Sequence, residues 1–565
     1  MSQNTLDVIS EAERSRRAGI RCRLYCCAST GCLSSGSQSI TDALREACAG
    51  HDLSDRVEIV PTGCMGLCSE GPLLRLEAEG HSAALYVNVD PLLARLVVAE
   101  HVIPIVAGTA DAPVDVPPFL KDHTLSLDHP FFTRQVKVVL AESGVVDPER
   151  IEDYIARDGY RALRKVLTEM SPEQVIDEIA RSGLRGRGGG GFPTGTKWQY
   201  AAAGQGNEKF LICNGDEGDP GAYMDRSILE GDPHAVLEGM LIGAYAMGAT
   251  EGWFYIRAEY PLAIDRIEKA IRQARKHKLL GKNILGTDFN FTCEVRLGAG
   301  AFVCGEETAL IRSIEGHRGT PRPRPPYPTD QGLWGEPSCV NNVETLANVP
   351  RIIRQGADWF AGMGTETSKG TKVFALTGKV DHSGLIEVPM GLTLREVVEE
   401  IGGGCSTNAP LKAVQTGGPS GGVIPADELD TPICYEQLSQ LGSIMGSGGM
   451  IVMDADDSMV DIATFYLKFT VDESCGKCAP CRIGGTQMVN LLEKIQAGDA
   501  TLADLDTVQR LARAMQQASL CGLGQTAANP VISTLAYFES EYMDRVDTET
   551  QVETNEWRPL KLDLL

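Results

Sequence analysis

Apolar and polar positions alternate differently in successive stretches of the chain. Between about 130 and 350, helical stretches alternate with short apolar runs, which predicts an α/β domain. Lys209–Cys213 and Trp253–Arg257 are the strand candidates, each flanked by Gly-containing turns. Ser171-Pro172-Glu173-Gln174 predicts a helix start, with Ser171 as N-cap, Pro172 at the first position and Gln174 closing the box. Ile176 and Ile179 occupy the following turns, so this helix runs into the segment beyond it. Residues 365–455 are rich in Val, Thr and Gly and predict a small β-rich domain. Its one helix signal is the capping box Thr393-Leu394-Arg395-Glu396. After Asp461 the pattern is helical. Near the start, Ile40–Cys48 reads as helix and Val57–Val60 as strand, and Pro104 to Pro118 reads as a linker. No repeat of solenoid length occurs, and no apolar stretch is long enough to span a membrane.

A chain of 565 residues should hold about three to five domains. The net charge of −24 argues against a general nucleic-acid or anionic-membrane binder. An anionic cofactor must then find a local basic or amide-lined pocket. The opening residues show neither the basic nor the apolar region of a signal peptide. Seventeen cysteines in a reduced, cytoplasmic setting point to metal ligation rather than disulfides.

The cysteine spacing sharpens this. Cys475, Cys478 and Cys481 form a C-x2-C-x2-C run on a loop loosened by glycine and proline, and Cys521 follows forty positions later. Four thiolates so arranged suit a [4Fe–4S] centre. Structural zinc also accepts four thiolates but usually pairs C-x2-C with a second C-x2-C. Cys27 and Cys32 (C-x4-C) with Cys64 and Cys68 (C-x3-C) suit a [2Fe–2S] cluster, on what reads as a thioredoxin-like half. Zinc or a thiol redox pair are the alternatives there, and nearby Cys22 and Cys26 leave the register open. Cys22, Cys26 and Cys48 read as small buried residues, as do Cys213, Cys304 and Cys339.

Gly183 to Trp198 contains G-x-G-x-x-G at Gly186, Gly188 and Gly191, but a helix rather than a strand precedes it. That is the wrong context for a Rossmann site. Its consecutive glycines still allow backbone N–H groups to approach a phosphate or a flat ring. Arg185, Arg187 and Lys197 would offset the charge. Two acidic loops follow, Asn214 to Gly221 and Gly298 to Thr308, the second joining a strand to a helix that runs to about Ile314. Acids at a helix N-terminus are ordinarily dipole caps. Beside a phosphate-binding loop they can also accept hydrogen bonds from ribose or ribityl hydroxyls. Asn341-Asn342-Val343-Glu344-Thr345 adds polar groups, or is simply a cap.

Together these motifs resemble the NADH-binding flavoprotein subunit of respiratory complex I and its soluble relatives over about residues 130–560. The first hundred residues resemble the thioredoxin-like [2Fe–2S] subunit of the same enzymes. The fusion most resembles the diaphorase subunit of bidirectional NAD-reducing [NiFe] hydrogenases; soluble NAD-dependent formate dehydrogenases have similar subunits. The resemblance implies a multidomain α/β protein: a thioredoxin-like ferredoxin domain (1–105), a linker (106–130), an FMN-binding α/β domain (131–355), a β-grasp, SLBB-like domain (356–455) and a helical [4Fe–4S] domain (456–565). It implies that Gly186, Arg187, Gly188, Gly189, Gly190, Gly191, Lys197, Asn214, Asp216, Glu217, Gly305, Asn341, Asn342 and Thr345 hold FMN. Phe192, Tyr200, Asp219, Glu306, Glu307, Arg324 and Tyr327 would line the NAD(H) site, with Glu306 and Glu307 nearest the chemistry. Arg324 stands where lysine is usual, Tyr327 where phenylalanine is and Asp219 where glutamate is. These changes bear on nucleotide affinity more than on activity. The implied partners are other iron–sulfur subunits and a catalytic hydrogenase or formate dehydrogenase module. Neither nucleic acid nor membrane insertion is implied. A relay or scaffold subunit with a vestigial nucleotide site is the alternative of another class.

Overall fold

The computed structural model describes residues 5–108 and 115–547. Six residues of the expected linker, 109–114, lie outside this range. The first sheet contains β1 (Cys22–Cys27), β2 (Val57–Thr62), β3 (Leu74–Ala78), β4 (Ala84–Tyr86) and β5 (Thr124–Leu125), in the order β2-β1-β3-β4-β5. β1 pairs parallel to β2, Cys22 opposite Val57, and antiparallel to β3. β5 comes from within the expected linker, so that segment also closes the edge of this sheet. The helix Ser37–Gly50 packs beneath, burying Ile40, Ala43, Leu44 and Cys48.

The second sheet decides where a ligand can sit. β6 (Phe210–Gly215), β7 (Glu251–Arg257), β8 (Thr292–Gly298) and β9 (Ser338–Asn342) are all parallel, in the order β8-β7-β6-β9. Phe210, Leu211, Ile212 and Cys213 are all buried, as expected of a strand covered on both faces. Two strands are laid down on one side of β6, and then the chain crosses to its other side for β9. The order therefore reverses between β6 and β9, and the crevice outside the carboxyl ends of strands at such a switch point is where open α/β sheets bind ligands. The helix Pro233–Met247 crosses the helix Val343–Gln355 so closely that a Cβ on Gly239 would lie 2.0 Å from the Leu346 carbonyl oxygen.

The third sheet, β10 (Thr371–Gly378), β11 (Gly384–Pro389), β12 (Leu411–Thr416), β13 (Val423–Pro425) and β14 (Gly449–Asp454), has the order β11-β10-β14-β12-β13. It docks on the second unit through buried Glu387, whose carboxylate accepts N–H groups of Val138, Val139 and Leu140. Both anticipated capping boxes form, at Ser171/Gln174 and Thr393/Glu396. The remaining described chain is helical from Met459, apart from a two-stranded pairing of Ala500–Thr501 with Val546–Asp547. The units share their cores: Leu6 and Cys64, Val373, Ala375 and Leu385 all join the core of residues 138–360. Among the described residues no helix is long and apolar enough to cross a membrane.

Candidate functional site

The switch-point crevice opens into a cavity of about 1600 Å3. That exceeds the roughly 300–1,000 Å3 of a single small-ligand pocket. One wall is the glycine loop. Gly186 N–H donates to Phe192 O (2.9 Å) and Thr194 N–H to Leu184 O (2.9 Å), which closes the loop at its base. Gly189 (φ 120°) and Gly191 (φ 60°) take conformations that a side chain would strain. Gly186, Gly188, Gly189, Gly190 and Gly191 all face the cavity.

Two residues expected to hold the ligand point elsewhere. Arg187 is fully buried, and its guanidinium donates to the carbonyls of Thr371 (3.1 Å), Arg185 (3.0 Å) and Lys369 (2.6 Å). It anchors the loop to the third unit and does not offset charge in the cavity. Thr345 is also fully buried, and its hydroxyl accepts the Arg187 N–H at 2.8 Å. Both act from behind the loop. Which way a residue turns between glycines is set by distant packing, and the sequence carries no local sign of it.

The carboxyl ends of β6, β8 and β9 supply the second wall. Asn214 ties two of these loops together, donating to Gly305 O (2.9 Å) and accepting the Asp216 N–H (3.0 Å). Asp216 is buried, neither of its carboxylate oxygens has a partner, and burial pushes its pKa up to about 7. Glu217 accepts the N–H groups of Asp225 and Arg226, both at 3.1 Å, and burial raises it to about 7. Asp219 accepts the Ser447 hydroxyl at 2.6 Å and is raised by burial to about 6. Glu306 is the N-cap of the helix Glu307–Ile314: its Oε2 accepts from Thr308 N (2.9 Å) and Ala309 N (3.0 Å). The cap reading therefore holds for that oxygen. Asn342 is likewise a cap, accepting from Thr345 N while donating to Asp225. Asn341 accepts the Trp198 indole N–H at 2.9 Å.

Glu307 sits between two cations, Lys197 (2.9 Å) and Arg324 (2.9 Å). Burial would raise its carboxyl, but the two charges outweigh that and hold it below the usual range. Burial would lower the Lys197 ammonium, and the Glu307 charge leaves it above its ordinary value instead. Phe192, Tyr200 and Tyr327 line the mouth with about half of each side chain exposed. Exposed rings at a cavity mouth are well placed to stack on a flat ligand.

Part of the wall has no counterpart among the expected residues. Gly417, Ser420, Ile444, Met445, Gly446 and Ser447 approach from the third unit, and Gly522, Leu523 and Thr526 from the helical one. The glycine-rich runs at 417–422 and 446–449 are the local signal of it.

The N-terminal thiol set lies behind the helix Met224–Gly231, and the C-terminal one adjoins this cavity through Gly522 and Leu523. In the first, Cys64 Sγ lies 3.8 Å from Cys68 Sγ. Thiol contacts from Cys32 and Cys64 hold Cys27 well below its ordinary value, and the same contacts raise Cys32 and Cys64. In the second, Cys481 accompanies Cys478 and Cys475, with Ser474 Oγ 3.2 Å from its sulfur, and Cys521 is pushed up to about 11 by burial. Among the described residues no three such groups gather around one point as a single ion requires, so the fit to a larger cluster rests on the all-thiol donor sets themselves. Cys22, Cys26, Cys48, Cys213, Cys304 and Cys339 are buried, as expected of packing residues.

Known proteins share these features. Residues 179–351 match the family described as the Nuo51 FMN-binding domain, and residues 461–545 match the NADH-ubiquinone oxidoreductase-F iron-sulfur binding region. The chain is 58% identical over 414 residues to the HndC subunit of the NADP-reducing hydrogenase of Solidesulfovibrio fructosivorans, covering 73% of this chain and 84% of that one. It is 46% identical over 392 residues to the F subunit of the NADH-quinone oxidoreductase of Aquifex aeolicus (strain VF5), covering 69% and 90%. A crystal structure of NAD+-reducing [NiFe]-hydrogenase in the H2-reduced state superposes with a TM-score of 0.66 at 30% identity, covering 97% of this chain and 91% of that one.

Proposed function

The chain belongs to the family of FMN-binding, iron–sulfur flavoprotein subunits that includes the F subunit of NADH-quinone oxidoreductase, and we propose that it is the NAD(H)-oxidising and -reducing subunit of a cytoplasmic hydrogenase assembly. One observation carries this reading. A single cavity, large enough for two ligands, adjoins the C-terminal thiol set directly and is separated from the N-terminal one by the helix Met224–Gly231. Gly522 and Leu523, directly after Cys521, line it, and so does Asp225, on the helix Met224–Gly231 whose N-cap residue Tyr223 reaches to Cys68. Bound FMN supplies exchange between hydride and single electrons, which neither a nicotinamide nor an iron–sulfur cluster achieves alone.

The chain's own residues bind, orient and exclude water. The backbone of Gly186–Gly191 forms the cradle, stiffened from behind by Arg187 and Thr345. Asp216, a buried carboxylate without a partner, offers two acceptors to ribityl hydroxyls, and Asn214, Asn341 and Asn342 fix the loops around it. Phe192, Tyr200 and Tyr327 would stack the nucleotide rings. Glu307, held charged by Lys197 and Arg324, and Asp219, held by Ser447, would accept from nucleotide hydroxyls or the carboxamide. Cys475, Cys478, Cys481 and Cys521 hold a [4Fe–4S] cluster, and Cys27, Cys32, Cys64 and Cys68 a [2Fe–2S] cluster, on units of helical and thioredoxin-like type; the third sheet is of β-grasp type.

Anaerobically reconstituted full-length protein should be yellow-brown, contain FMN and acid-labile sulfide, and reduce an artificial dye with NADH. A colourless preparation without turnover would sink the proposal. Hydrogen-dependent NAD+ reduction by the native complex tests the partner, and formate-dependent reduction instead would move it to a formate dehydrogenase.

A further inference from the structure

The loop carrying Cys64 and Cys68 is built into the junction of three units. A Cβ on Gly63 would lie 2.3 Å from Gly231 Cα of the second unit. On its other side, Leu385 N–H donates to Gly66 O (2.7 Å) and Ser69 N–H to Ser383 O (3.0 Å) of the third. At this junction Tyr223, N-cap residue of the helix Met224–Gly231, directs its hydroxyl to Cys68 Sγ at 3.8 Å. The tyrosine ring is backed by the Arg226 guanidinium, 5.6 Å from its centroid. Arg226 also packs over Tyr260, whose hydroxyl donates to Glu217 O at 2.6 Å, in the cavity wall. A side chain of the flavin-binding unit thus donates a hydrogen bond to a thiol of the N-terminal set, and its position is fixed by the wall of the flavin cavity.

Packing alone does not require that hydroxyl. A phenylalanine would keep the ring and its contact with Arg226. What the hydroxyl adds is a donor aimed at sulfur. Hydrogen bonds to ligating sulfurs stabilise the more negative, reduced cluster and raise its potential. We infer that Tyr223 is a positioning residue that raises the electron affinity of the N-terminal cluster through its hydrogen bond to Cys68. The inference rests on Cys27, Cys32, Cys64 and Cys68 being the ligands of that cluster.

The test is an EPR-monitored redox titration of full-length, reconstituted Tyr223→Phe beside the wild type. At a fixed poise between the two midpoints, the reduced [2Fe–2S] signal should be a smaller fraction of its fully reduced amplitude in the variant, the oxidised-to-reduced ratio of the cluster rising by about threefold or more. The [4Fe–4S] midpoint and the FMN-to-protein ratio should not move. An exchangeable proton coupled to the [2Fe–2S] signal in wild type should disappear in the variant. An unchanged [2Fe–2S] midpoint would show that Tyr223 only packs. Wild-type protein with no [2Fe–2S] signal, or one that survives Cys68→Ser unaltered, would overturn the ligand assignment and the inference with it.

Discussion

The two thiol sets are built on opposite plans. The C-terminal set is the more local: Cys475 and Cys478 lie on one short loop, Cys481 in the helical turn Pro480–Gly484 that follows it, and Cys521 opens the helix Gly522–Thr526, where Gly524 packs against Cys481. Its ties to the second unit are Arg318 to Cys475 O (3.0 Å), Lys477 to Pro321 O (2.6 Å), Phe302 N–H to Glu473 (2.7 Å) and the packing of Cys475 and Leu523 on the core around Phe210, none of which reaches into the run of cysteines through a close glycine contact. The N-terminal set gathers thiols from the end of β1, the helix Thr30–Ser34 and the loop after β2. Neighbouring units then grip that loop through Gly231, Gly384 and Tyr223. Local sequence holds one site, and the assembled protein holds the other. Retention of the N-terminal cluster should therefore report on docking between units, while the C-terminal cluster should not.

The largest expected effect separates the sets by what depends on them. Outer-shell metal partners already cost about 10- to 100-fold when removed. Cys521→Ser, which deletes a ligand, should lower partner-linked NAD+ reduction by at least about 100-fold. NADH-dependent dye reduction, which needs only the cavity, should persist. Cys64→Ser should erase the [2Fe–2S] signal yet leave partner-linked turnover within about threefold of wild type, because the C-terminal set remains as an exit. Equal losses in both variants would place the two clusters in series and break the contrast.

A smaller effect probes the grip itself. A Cβ at Gly384 would lie 1.9 Å from Gly66 O, so Gly384→Val must push the cysteine loop away. Overpacking of this kind costs about 1–3 kcal/mol. The expected result is a lower thermal midpoint and loss of most of the [2Fe–2S] signal, with the [4Fe–4S] signal retained. Loss of both signals together would mean that the C-terminal set also depends on docking.

The same contrast explains what could be read from the sequence. The C-x2-C-x2-C run is local, so its spacing displays its chemistry. Strands at Lys209–Cys213 and Trp253–Arg257 appear as β6 and β7 because fully buried parallel strands must be continuously apolar. Both capping boxes are legible because each is complete within four residues. Arg187 is not, because two of its three carbonyl partners lie more than 180 residues away. Ser447 is hidden for a related reason: its partner Asp219 lies 228 residues earlier. β5 has two residues, too few for any periodicity.

Asp216 gives the smallest predicted effect, and it concerns the space between the two sets. Its carboxyl has no partner and is raised by burial from 3.8 to about 7. In flavin-depleted protein the folded state therefore holds a proton that the unfolded chain has released, and stability falls as pH rises between those values. A ribityl hydroxyl donating to Asp216 would favour the ionised form, so FMN binding below pH 7 must release this proton. Affinity should then weaken as pH falls below about 7, by at most about tenfold per unit. Glu217 and Asp219 titrate nearby, but backbone N–H groups and Ser447 already occupy their oxygens, so their protonation is less coupled to the ligand. Asp216→Asn should flatten the acid limb of the FMN affinity profile, followed by flavin fluorescence quenching. Since the Asp216 carboxylate makes no hydrogen bond to either thiol set, both EPR signals should be unchanged in FMN-saturated variant protein. A slope surviving in Asp216→Asn would move the linkage to Glu217 or Asp219. A perturbed [2Fe–2S] signal would show that the cavity reaches that cluster by a route other than Tyr223.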